Sequence, residues 1–154
     1  MTTLIKQIDL TKIDETSFKN RFSGCIVLTH DNKILFQQRG EDWVSHPGCI
    51  ATFGGRIEQN ETSMQALIRE LKEELGADVN ESDAIFLGAV TEAFTDHTEL
   101  VYNYFWHDKN ASITGCYEGQ SIKFDTVDEV LSDPNIMDDI PWLLRECQKR
   151  SLII

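Results

Sequence analysis

Glu70, Glu73 and Glu74 stand at spacing i, i+3, i+4 in a segment with the marks of a helix. Side chains at those spacings share one helix face, so three carboxylates crowd into a single turn. They also lie near the helix C-terminus, where the macrodipole disfavours negative charge. A hard divalent cation reverses both penalties, because Mg²⁺ takes oxygen ligands and keeps sites open for waters and phosphate oxygens. Without such a cation the same pattern is a solvated acidic face. Arg69 precedes the three acids and is placed either to orient a carboxylate by a bidentate contact or to form a surface ion pair of little consequence.

The helix that carries these acids is legible end to end. Thr62-x-x-Gln65 has the form of a capping box, and Gly76 is placed to end the helix. Met64, Leu67, Ile68, Leu71 and Leu75 recur at spacings of three and four, which makes one apolar stripe for core packing. The acidic face is centred roughly 120° from that stripe. Ser63 and Ala66 project from the acidic side and, being small, are expected to leave room above the carboxylates.

Other segments supply strands and turns. Phe22–Thr29 and Lys33–Gln38 are β-branched or aromatic-rich runs around the polar turn His30-Asp31-Asn32, a hairpin pattern. Residues 39–48 carry turn formers and read as a loop. A short strand is expected over Cys49–Phe53, ending at Gly54-Gly55. Longer strands follow at Ala84–Phe94 and Glu99–His107, and a short one at Ser121–Phe124. Thr126–Leu131 reads as a short helix and Asp139–Lys149 as a terminal helix, with Pro141 tolerable in its first turn. Strands mixed with two substantial helices imply α/β or α+β architecture, with helices packed on a mixed sheet.

Composition sets the outer limits. The chain has 154 residues, with 26 Asp+Glu against 14 Lys+Arg, for a formal net charge of −12. One domain over residues 1–154 is the economical reading, since no repeat, low-complexity tract or linker divides it. The charge disfavours nonspecific binding to nucleic acid or to an anionic membrane. An anionic substrate then needs something cationic to mediate its contact. No apolar run reaches the ~18–20 residues of a membrane span, and the first ten residues lack a leader pattern. Cys25, Cys49, Cys116 and Cys147 show neither zinc-ligand spacing nor a disulfide framework, and read as free thiols in a reducing cytoplasm.

Read outward from the acids, the segment is Gly55, five residues, Glu61, seven residues, then Arg69-Glu70-Leu71-Lys72-Glu73-Glu74-Leu75-Gly76-Ala77. This resembles the signature box of the Nudix hydrolase family, and the chain is identified as a member of that family in its MutT-like branch. Seven polar or glycine positions match at fixed spacing, a chance agreement on the order of one in 10⁸ per start position. There are two departures, of which the first is mild. Ala77 stands where a larger aliphatic is usual, and Phe53 precedes the paired glycines where many MutT-type members have Pro. The strand ending at Gln38-Arg39 also resembles the family's. The resemblance implies the Nudix fold, a mixed β-sheet sandwiched between α-helices.

It further implies hydrolysis of a nucleoside diphosphate linked to another group, with Mg²⁺ or Mn²⁺ as cofactor and a small nucleotide-like molecule as partner. NTPs and oxidised dNTPs are among the substrates left open. Carried over to this chain, the metal ligands are Glu70, Glu73, Glu74 and the carbonyl of Gly55, with Glu73, Arg69 and Glu118 in catalysis. Arg39 and Phe53 fall at substrate-contacting positions. Glu61 is expected to order the loop before the helix. Glu118, in Tyr117-Glu118-Gly119-Gln120, is expected on a mobile loop that orders with substrate; the alternative is a plain turn residue. Glu92, Asp96, His97 and Glu99 form a second polar cluster from which one side chain could reach the site. Trp43, Phe94, Tyr102 and Trp106 are either base-stacking residues or half-buried strand aromatics. Two other readings share the fold. Ser45-His46-Pro47 echoes isopentenyl-diphosphate isomerase, but Val44 occupies the place of that family's catalytic Cys. A catalytically silent nucleotide-binding domain is the other, although the box has lost no glutamate. Homodimerisation is left open.

Overall fold

The computed structural model describes residues 4–154, so the first three residues of the segment read for a leader lie outside the described residues. Eight strands and three helices follow in chain order. They are β1 (Ile5–Ile8), β2 (Asn20–Leu28), β3 (Ile34–Gln38), β4 (Ile50–Ala51), β5 (Phe53–Arg56), α1 (Ser63–Leu75), β6 (Ile85–Glu92), β7 (Glu99–His107), β8 (Gln120–Phe124), α2 (Val127–Leu131) and α3 (Asp139–Lys149). The strands form one mixed sheet in the order β1-β6-β7-β2-β3-β4, with β5 also pairing β2 and β8 also pairing β3. The parallel pair is β2 with β7, in register from Asn20↔Glu99 to Leu28↔His107. This is the expected mixed sheet between helices.

Strand alternation divides the core into two layers. Cys25, Val27, Leu35 and Phe53 pack with Leu67, Leu71 and Leu75 of α1. Ile26, Leu28, Ile34 and Phe36 face the other way, onto Val127 and Val130 of α2 and Ile140, Leu143 and Leu144 of α3. The hairpin turns where expected, with Asn32 in a left-handed conformation and Thr29 and Lys33 joined by a backbone hydrogen bond of 2.8 Å.

Helix α1 is closed at both ends as its sequence predicts. The Thr62 hydroxyl accepts from Gln65 N–H, the Gln65 side chain accepts from Thr62 N–H, and Gly76 caps the C-terminus at φ 65°. No helix among the described residues is long and apolar enough to cross a membrane. All four cysteines are free, with Cys25 and Cys147 buried.

Several boundaries differ from the expectation, each for a tertiary reason. The strand expected over Cys49–Phe53 is two strands broken at Thr52. The second runs through both glycines to Arg56, because Gly54 and Gly55 pair with Gly24 and Ser23 of β2. Gly54 holds φ 140°, and a Cβ there would overlap the Ser23 carbonyl. The strand expected to reach Phe94 stops at Glu92, where a 3₁₀ turn over Ala93–Thr95 ends in left-handed Asp96. Ala66 does not leave open space beside the acids: it is fully buried in the α1 core layer. The short strand β1, paired antiparallel to β6, had too little alternation in four residues to be read from sequence.

Candidate active site

The three acids of α1 occupy three environments. Glu74 is 2% exposed and lies under the sheet. Its Oε1 accepts from Gly54 N–H at 2.8 Å, and its Oε2 accepts from Gln37 Nε2 at 3.0 Å. Burial, then the like charges of Glu118 and Glu70, push its carboxyl up from an ordinary 4.5 to about 8 against the pull of those hydrogen bonds. Glu70 is half-buried against the Gly55 backbone, where a Cβ would overlap its carboxylate. Burial raises its pKa as well, opposed by Arg69. Gly55 is glycine for that close approach, since its backbone is not left-handed; the conformational demand falls on Gly54 instead. The Glu73 side chain stands at the rim, 59% exposed, with an oxygen 3.6 Å from Arg69.

Arg69 ties the box together. Its Nε and one terminal nitrogen each reach Glu61 at 2.8 Å, a bidentate pair, while the other terminal nitrogen donates to Glu70 at 2.7 Å. A further bond of 3.0 Å to the Arg56 carbonyl anchors it to β5. The Arg69 contact pulls Glu61 down to about 2. Glu61 also accepts from Glu58 N–H and so orders the loop before α1, as expected. Arg69 therefore positions two carboxylates at once.

The segment carrying Glu118 is hydrogen-bonded to the end of α1. Thr114 N–H donates to Leu75 O at 2.9 Å and Tyr117 N–H to Glu74 O at 2.8 Å, which satisfies carbonyls at the α1 C-terminus. Gln37 Nε2 donates to Glu118 O at 3.1 Å. These backbone bonds leave no mark in a segment without apolar periodicity. The exposed Glu118 side chain brings its charge to bear on both Glu70 and Glu74.

A cleft of about 420 Å³ is lined by Arg39, Gly54, Gly55 and Glu118 and also by Glu92, Phe94 and Asp139. The Arg39 guanidinium lies 4.5 Å from the Trp43 ring centroid, a cation on an aromatic face. Phe53 also lines the cleft, with its side chain buried in the α1 layer. Of the second polar cluster, Glu92 and Glu99 line the cleft, while His97 turns to a 2.7 Å bond with the Thr91 hydroxyl. Of the candidate stacking aromatics, Tyr102 and Trp106 are core residues and Phe94 is exposed at the cleft. Val44 is fully exposed, so the loop places no nucleophile where the isomerase has its Cys.

Among the described residues no three His, Cys, Asp or Glu side chains stand as a ready coordination cluster. The donors that do converge are all oxygens: Glu70 against Gly55, and Glu74 with Glu118 adding like charge. A carboxyl held high by burial and then by its acidic neighbours is relieved by a hard cation, so the donor chemistry fits one.

Sequence reasoning missed Gln37 and Asp139. Gln37 is a buried polar residue two positions after core residue Leu35 on the same strand, and that break in the apolar pattern was the available signal. Asp139, the first residue of α3, gave no sequence signal beyond its helix position.

A profile of the NUDIX domain matches residues 19–145. The chain is 29% identical over 124 residues to the CTP pyrophosphohydrolase of Escherichia coli, covering 76% of this chain and 84% of that protein. It is 40% identical over 75 residues to the 8-oxo-dGTP diphosphatase of Proteus vulgaris, covering 48% and 62%. The crystal structure of the MutT protein from Methanosarcina mazei Go1 superposes with a TM-score of 0.70 at 15% identity, over 85% of this chain and 94% of that one, a likeness of fold. With the family profile spanning most of the chain and the box geometry in place, this protein belongs to the NUDIX domain family and is a hydrolase of that family.

Proposed function

We propose that this protein hydrolyses a phosphoanhydride bond of a nucleoside triphosphate, ordinary or oxidised, with Mg²⁺ or Mn²⁺. The observation that carries this reading is the continuity of one cleft from the Gly54-Gly55 strand and Glu118 to Phe94 and Asp139. A cavity with those linings supports a substrate that carries both phosphates and a base. The relatives named for CTP and for 8-oxo-dGTP support the substrate class.

Glu70, Glu74 and the Gly55 carbonyl would hold the cation, with Glu73 at the rim available to a second ion or to water. When bound, the cation supplies charge neutralisation on the phosphate oxygens. The chain's own residues do the rest. Arg69 fixes Glu70 and Glu61, so the box carboxylates meet the substrate in one geometry. Arg39 faces the cleft as a cation in an acidic protein and takes a phosphate oxygen. Glu118 is the exposed carboxylate at the cleft edge and accepts the proton of the attacking water. Gly54 N–H and Gln37 hold Glu74 in place whichever protonation state it adopts.

The test is turnover of an NTP and 8-oxo-dNTP panel with Mg²⁺, with products separated to show which phosphorus is attacked. Mg²⁺-dependent release of phosphate or pyrophosphate supports the reading. A fully folded protein inert on the whole panel contradicts it.

A further inference from the structure

Trp43 belongs to neither layer of the core, and it does not line the cleft. Its indole is nonetheless half-buried, so other parts of the chain are packed on it. The ring sits in the loop of residues 39–49. Arg39 N–H donates to Cys49 O at 2.9 Å and Gly48 N–H to Gly40 O at 3.2 Å, which closes the loop at its base. Gln38 Nε2 donates to Gly48 O at 2.8 Å and fastens that base to β3. Inside the loop, Trp43 N–H donates to Gly40 O at 3.2 Å. That turn lays the indole on Gly40, where a Cβ would stand 2.6 Å from its Nε1.

Two groups of the candidate site meet on this ring. The Arg39 guanidinium lies on its face, 4.5 Å from the centroid. The far edge of the indole reaches Gly119, the residue after Glu118. A Cβ at Gly119 would stand 3.2 Å from the indole Cη2 and 3.4 Å from Cζ2. Arg39 and Glu118 both line the cleft, although their anchor does not. Arg39 Nε donates to Ser45 O at 2.9 Å, while its terminal nitrogens hold no hydrogen bond among the described residues. A guanidinium laid on an aromatic face loses its swing but keeps its edge donors free for an anion. An aromatic side chain with two torsions provides such a platform at little cost in conformational entropy.

We propose that Trp43 is a positioning residue that sets Arg39 and Glu118 at a fixed separation along the cleft. Its face holds the cation that takes a phosphate oxygen. Its edge holds the Gly119 backbone and, through it, the carboxylate that accepts the proton. The inference deepens the hydrolytic reading above and rests on the roles given there to Arg39 and Glu118.

The test is a double-mutant cycle of Arg39→Ala and Trp43→Ala, with Trp43→Phe beside it, on the nucleotide that wild type turns over best with Mg²⁺. Trp43 lies outside the core, so these variants keep the fold. Trp43→Ala should raise KM ~5–10-fold through loss of the cation's platform, and it should lower kcat. In the Arg39→Ala background the same change should raise KM by less than about twofold, because the two residues act as one unit. Trp43→Phe keeps a face for the guanidinium but is too short to reach Gly119. Its KM should stay within about twofold of wild type while kcat falls ~10-fold, the cost of a misplaced reacting group. Acrylamide quenching of the Trp43 emission, taken as wild type minus Trp43→Phe, should rise in Arg39→Ala as the ring face is uncovered. A wild type inert on every nucleotide overturns the hydrolytic reading. With an active wild type, KM increments that multiply in the double variant, an unchanged kcat in Trp43→Phe, or unchanged quenching in Arg39→Ala overturn the positioning role alone.

Discussion

Replacing Glu74 by Gln should stabilise the metal-free protein while abolishing its activity, and the two effects share one cause. The Glu74 carboxyl stands at about 8 in the fold against an ordinary 4.5. A group raised on folding favours the folded state while protonated. That advantage fades as pH climbs from about 4.5 to about 8 and is gone above. At pH 7 keeping the proton on this group in the fold therefore costs ~3 kcal/mol relative to low pH, and at pH 5 under ~1 kcal/mol. Gln keeps the acceptor for Gly54 N–H but sets its own amide against Gln37 Nε2, which returns ~1 kcal/mol through a reoriented hydrogen bond. The net gain at pH 7 is ~2 kcal/mol, or roughly 4–8 °C in Tm for a domain of this size. Thermal melts of wild type and Glu74→Gln in EDTA at pH 5 and pH 8 measure it. The variant should match wild type within a few degrees at pH 5 and exceed it at pH 8. A variant that melts below wild type at pH 8 refutes the assignment of Glu74 as a strained, cation-seeking carboxyl and makes it a structural acceptor.

Leu71→Ala should destabilise by ~2–5 kcal/mol without altering metal dependence, because Leu71 is fully buried in the α1 layer; urea titration reads this, and a loss under 1 kcal/mol contradicts the packing. Glu118→Gln should lower kcat by ~10²-fold, while its metal-free Tm holds or rises because a like charge is removed beside Glu70 and Glu74. Full kcat in that variant moves the proton acceptor elsewhere, with Glu99 the next carboxylate lining the cleft.

What was legible in the sequence was local. The capping box, Gly76 and the leucine stripe of α1 lie within 15 residues of one another, and periodicity reads such elements directly. The acid spacing likewise placed Glu70, Glu73 and Glu74 on one helix. What each acid meets depends on the sheet. Glu74 is buried because Gly54 and Gln37, from two other strands, close over it, and spacing alone gave all three acids the same standing. Glu73 faces water for the same reason. Gly55 shows the limit well: its glycine follows from the Glu70 carboxylate 15 residues later, a contact invisible until β5 pairs with β2. The cleft brings together Glu92 and Asp139, 47 positions apart at the ends of β6 and α3. No periodic pattern marks it. The segment before Glu118 looked unanchored because its anchors are backbone bonds to α1 carbonyls, which leave no trace in side-chain pattern.

The central claim is that an acidic cleft works on an anionic substrate through a cation held by Glu70, Glu74 and the Gly55 carbonyl. The most direct measurement is hydrolysis of the best nucleotide in the panel by wild type and Glu74→Gln, across a Mg²⁺ titration with EDTA as the zero point. The account predicts no turnover in EDTA, restoration by Mg²⁺ in wild type, and at least ~10²-fold lower kcat in the variant at saturating Mg²⁺. Undiminished turnover in excess EDTA, or a Glu74→Gln variant as active as wild type, contradicts it.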